Sequence, residues 1–91
     1  MENMVFIELY RRKERIFYNS NGFECDFISV DRKRKKTAIQ VVYFLDKNNL
    51  KRELSGLEKV SADEKLLLYY ENNSSYTDNR LKNIVDWLLE K

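Results

Sequence analysis

Two stretches carry polar side chains where a core strand would carry none: Phe23-Glu24-Cys25-Asp26-Phe27-Ile28 and Ala38-Ile39-Gln40-Val41-Val42-Tyr43-Phe44. Side chains alternate along a strand, so Gln40 and Val42 share one face while Ile39, Val41 and Tyr43 share the other. By the same rule Asp26 shares a face with Glu24 and Ile28. A carboxylate on one strand beside a polar-x-residue pair on the next is the skeleton of a metal-dependent phosphodiesterase site. Mg²⁺ prefers hard oxygen ligands, lowers the pKa of bound water and neutralises charge on a scissile phosphate. Asp26 therefore needs a metal, a cationic partner or an exposed strand end, because an unpaired buried carboxylate is costly.

The elements that must position these residues belong to one domain. Ninety-one residues suffice for a single core. An apolar content of 43%, with five Phe, six Tyr and one Trp, supports a packed globule and excludes disorder despite 35% charged residues. Seventeen basic and fifteen acidic residues leave a net charge of +2, too balanced to argue for nucleic acid from the sum. The single cysteine, Cys25, cannot form an internal disulfide, and with Phe23 and Phe27 beside it the expectation is a buried thiol in a reduced compartment, the cytoplasm. No apolar run approaches the roughly 18 residues of a membrane helix, and the start is not that of a signal peptide, so no membrane association is expected.

In chain order, Met1, Val5 and Leu9, widened by Phe6 and Tyr10, predict a helix over residues 1 to about 13. A helix starting at the first residue, with no capping segment before it, suggests a domain cut from a longer protein. Ile16-Phe17-Tyr18 reads as a short strand, joined through the turn Asn19-Ser20-Asn21-Gly22 to a second strand from about Phe23 to Val30. A third runs from about Thr37 to Phe44. Between them stands Asp31-Arg32-Lys33-Arg34-Lys35-Lys36, whose five consecutive cations must form an exposed hairpin tip. Leu50, Leu54 and Leu57 mark an amphipathic helix of about residues 48 to 58, weakened by Gly56, with Asp46 or Asn48 as a possible cap. Lys65 to Tyr70 reads as a central strand, since Leu66, Leu67 and Leu68 leave neither face polar, and Asn72 to Ser75 as a turn. Leu81, Ile84, Val85, Leu88 and Leu89 fit one long helix by spacing. The favoured alternative is a short edge strand near Tyr76 to Leu81 and a closing helix capped by Asn83 and anchored by Trp87.

This order of elements, α-β-β-β-α-β with a short strand and a C-terminal helix, resembles the minimal core of the PD-(D/E)xK nuclease-like superfamily. More specifically it looks like the C-terminal domain of a group of archaeal and bacterial AAA-type ATPases. The residues that carry the resemblance are Glu2 to Leu9, Phe23 to Ile28, Ile39 to Tyr43, Arg52-Glu53-Leu54 and Trp87 to Glu90. It implies an α/β restriction-endonuclease-like fold with a central mixed sheet of four to five strands flanked by helices, attached to a parent ATPase domain. ATP would bind only through that domain, since this chain has two glycines and no G-x-x-x-x-G-K-[ST].

Carried over residue by residue, the resemblance makes Glu2 the helix acid and Asp26 the strand acid of an Mg²⁺ site. Gln40 then stands where the second strand carboxylate belongs, and Val42 where a water-activating lysine belongs. Gln40 still offers a carbonyl oxygen for weak Mg²⁺ binding, but Val42 offers neither charge nor proton. Lys36 and Lys47 flank the third strand without the required spacing from Gln40.

Each feature also has a plain structural reading. Glu2 favours a helix N-terminus through the dipole, Gln40 satisfies itself against backbone or Asp26, and Arg32, Lys33, Arg34, Lys35 and Lys36 form a solvated turn or contact phosphates. The tyrosines are core and sheet surface. Three functions follow: a non-catalytic ATPase module binding DNA, RNA or a partner protein; an Mg²⁺-dependent nuclease with a displaced lysine; and a homo-oligomerisation domain with an exposed apolar patch.

Overall fold

A computed structural model describes residues 2–18 and 25–90. Among these residues the architecture is α/β: a five-stranded mixed sheet flanked by three helices. In chain order these are α1 (Glu2–Arg11), β1 (Arg15–Tyr18), β2 (Phe27–Val30), β3 (Lys36–Leu45), α2 (Leu50–Glu58), β4 (Glu64–Asn72), β5 (Leu81–Asn83) and α3 (Ile84–Leu89). The strands lie side by side in sequence order, β1-β2-β3-β4-β5. The first three form an antiparallel meander, while β4 and β5 are added in parallel to β3. A parallel neighbour needs a crossover, and α2 supplies the one from β3 to β4.

The period-2 alternation of β3 divides the core into two layers. Ala38 and Val42 pack with Ile28, Leu57 and Leu67 beneath α2, where Leu50 and Leu54 add partly buried area. Ile39 joins Val5, Leu9, Leu68, Ile84 and Trp87 under α1 and α3. The leucine run of β4 is split the same way, Leu67 to one layer and Leu68 to the other, as a central strand requires.

Several boundaries differ from expectation. The expected turn Asn19 to Gly22, and the residues Phe23 and Glu24 at the start of the expected second strand, lie outside the described residues. Cys25 and Asp26 form a bend ahead of β2, so Asp26 is not an interior strand residue. Lys36 is the first residue of β3, its N–H bonded to Asp63 Oδ2 (2.8 Å) and its carbonyl to the Asp63 N–H (2.9 Å), which extends the ladder toward β4. The N-cap of α2 is Asn49, because Asp46 Oδ1 is taken up by the N–H groups of Asn48 and Asn49 in a local turn. β5 begins only at Leu81. Asn83 caps α3 as expected, accepting from the N–H groups of Val85 and Asp86.

Candidate functional site

The Asp26 carboxylate substitutes for a backbone carbonyl in the sheet. Phe27 pairs with Ile39, and one step earlier the chain bends, so Asp26 Oδ2 accepts the Val41 N–H at 2.8 Å. This places Asp26 directly beside Gln40 on β3. The carboxyl is partly buried, and loss of water raises its pKa above the ordinary aspartate value. The Val41 N–H opposes that rise, and the charges of Glu2 and Glu53 add to it. Neither arginine nor lysine pairs with Asp26 among the described residues. Of the surroundings expected for Asp26, a cationic partner is not the one found; a backbone N–H bonds it and two carboxylates raise its pKa.

Gln40 faces α2, since it lies between Ala38 and Val42 of that layer. Its Nε2 donates to Glu53 Oε2 at 3.2 Å. Its Oε1 is buried with no hydrogen-bond partner. The expected partner for Gln40, Asp26 or backbone, is thus replaced by a carboxylate from α2. Glu53 is the residue that sequence reasoning named within a motif but gave no role. It lies three residues after Leu50 and four before Leu57, on the inner face of an amphipathic helix. A carboxylate in that position was the available signal.

Gln40 and Glu53 are in contact, Asp26 stands beside Gln40, and the charges of Glu2 on α1 and Glu53 on α2 are felt at Asp26. Glu2 is exposed at the N-terminus of α1, where the helix dipole favours an acid regardless of any ligand. Asp26 gives one oxygen to Val41, and Glu53 gives one to Gln40. No group of three His, Cys, Asp or Glu side chains converges closely enough to hold a metal among the described residues. Val42 is 8% exposed and packed in the α2 layer with Ile28 and Leu57, so the slot on β3 where the resemblance calls for a lysine is filled by an aliphatic group within the core.

The basic residues Arg32 to Lys36 lie elsewhere, at the opposite end of β2 from Asp26, about 13 Å along the strand at roughly 3.3 Å per residue. Cys25 is buried, its Sγ donating to the Phe27 carbonyl (3.2 Å), and burial pushes its thiol pKa up. A cleft of about 560 Å³ lies on the α1 and α3 side, lined by Arg12, Ser29, Thr37, Arg80, Lys82 and Trp87. Its arginines and Lys82 are ion-paired, to Glu8, to Asp78 and Glu58, and to Glu90. It does not reach Asp26 or Gln40.

The chain matches no protein-family model, no curated protein and no solved structure. No described helix is long and apolar enough to cross a membrane.

Proposed function

We propose that this chain is a non-catalytic binding module of nuclease-like fold that serves a larger AAA-type ATPase. One observation carries the reading: beside the amide Gln40, the strand position that hydrolysis would require to be charged holds Val42, closed into the core at 8% exposure. General-base or electrostatic assistance from such a group is worth about 10² to 10³ in rate or more. A lysine in its place would have to bury its ammonium beneath α2. The oxygens of Asp26 and Glu53 that touch protein are spent on Val41 and Gln40, which suits a site that organises the bend leading into β2 and the seat of α2.

The test is incubation of the purified chain with supercoiled plasmid in Mg²⁺ and in Mn²⁺. The expected result is no nicking with either ion. Nicking that disappears in Asp26→Asn would overturn the proposal in favour of a metal-dependent nuclease. The ATPase connection predicts a G-x-x-x-x-G-K-[ST] segment encoded upstream in the same reading frame, and its absence there would remove that part.

A further inference from the structure

The sheet register adds a cation to the basic tip from a distant part of the sequence, and we infer that the combined surface binds the phosphodiester backbone of duplex DNA without sequence preference. Arg15 on β1 stands opposite Val30, and Val30 stands opposite Lys36 on β3. Directly opposed residues project to the same face, so Arg15 and Lys36 flank one row that ends where the turn with Arg32, Lys33 and Arg34 begins. All five are exposed, and none has an ion-pair partner among the described residues. Lys35 differs, its ammonium held by Glu64 at 2.9 Å.

The nearby acids Asp31, Asp63 and Glu64 are engaged by backbone N–H groups or by Lys35, not by these five side chains. Asp31 is folded into the turn, its Oδ1 accepting the N–H groups of Lys33 (2.8 Å) and Lys35 (2.9 Å). Two backbone bonds, Arg34 N–H to the Asp31 carbonyl and Asp31 N–H to the Lys35 carbonyl, close the same loop. Arg34 takes a left-handed φ of 66°, a conformation that a non-glycine residue holds only when its surroundings fix it. Asp63 accepts the Lys36 N–H, and Glu64 holds Lys35. Glu14 lines the cleft on the other face with Ser29 and Thr37. The tip is thus a fixed turn at one end of the five-stranded sheet, level with Arg15 on β1, with its cations exposed. A row of exposed cations of this kind meets the regularly spaced phosphates of a duplex, whose charge density attracts them whatever the base sequence. Arg32 to Lys36 include no apolar side chain, so attachment to a bilayer would rest on headgroup charge alone.

The inference extends the binding role proposed above. The two can fail separately, since plasmid nicking refutes only the non-catalytic reading and the following measurement does not depend on cleavage. A fluorescein-labelled duplex is titrated with the chain at several salt concentrations and followed by anisotropy. Each phosphate neutralised contributes about −0.9 to the slope of log K against log salt. The combined Arg32→Ala, Lys33→Ala, Arg34→Ala variant should lower the slope's magnitude by about 2 to 3, and Arg15→Ala alone by about 1. Asp31→Ala raises the net charge yet should weaken binding, because the turn loses its internal acceptor. No binding at low salt overturns the inference, and so do equal slopes for the wild type and the triple variant. An unchanged slope in Arg15→Ala removes β1 from the surface, and tighter binding by Asp31→Ala refutes the part played by turn geometry. Preference for single strands or for anionic phosphatidylserine vesicles over the duplex overturns the choice of ligand.

Discussion

Replacing Asp26 by asparagine removes a charge but keeps an oxygen for the Val41 N–H, whereas alanine removes both. The Val41 N–H donates to Oδ2 at 2.8 Å in a partly buried setting. Alanine leaves that donor unsatisfied, at a cost of about 1 to 3 kcal/mol. Asparagine should stay within about 1 kcal/mol of wild type at pH 7.5 on the same scale, or exceed it, because it no longer carries an ion that burial, Glu2 and Glu53 all disfavour. The pH dependence has a definite sign. With a folded pKa above its ordinary value, Asp26 binds its proton more tightly in the native state, so stability falls as pH rises through the window between the two values. Wild type should therefore gain on Asp26→Asn as the pH is lowered from neutral toward about 4, the ordinary aspartate range. Glu8 and Asp78, whose pKa values are lowered by their arginines, shift stability in the opposite direction but are common to both proteins. Urea unfolding at pH 7.5, 6 and 4.5, followed by Trp87 fluorescence and far-UV circular dichroism, measures the difference. An asparagine variant as unstable as the alanine variant at pH 7.5 would mean that the negative charge is itself stabilising. That result would refute the account of Asp26 as a backbone acceptor.

Leu57→Ala should cost about 2 to 5 kcal/mol in the same urea assay, because Leu57 is fully buried where α2 meets the sheet and its loss leaves a cavity. Asn83→Ala should cost about 1 kcal/mol, the usual worth of an N-cap that serves two N–H groups. Arg12 bonds the Trp87 and Glu90 carbonyls, pairs with Glu8 and lies 4.5 Å over the Trp87 ring, so Arg12→Ala should loosen α3 and red-shift the Trp87 emission. Cys25 should react with a thiol reagent at pH 8 only after denaturant is added, since it is buried and its thiolate is disfavoured.

Apolar periodicity foretold the elements from α1 to β4 and the two faces of β3, and the side-chain chemistry of Asn83 its capping role, whereas spacing in the tail fitted one long helix as well as the strand and helix found. The exposure of residues 32 to 36 followed from charge density in the same way. Pairing across the sheet was not legible. That Asp26 would leave the strand and bond the Val41 N–H depends on a bend whose register only β3 defines. That Glu53 would meet Gln40 depends on how α2 crosses the sheet, a rotation its leucine spacing constrains only to within a face. Arg15 reached the basic tip through the β1 to β2 register, which the sequence between Tyr18 and Cys25 leaves open. Local chemistry chose the elements, and long-range registry, which no short window of sequence encodes, decided which charges became neighbours.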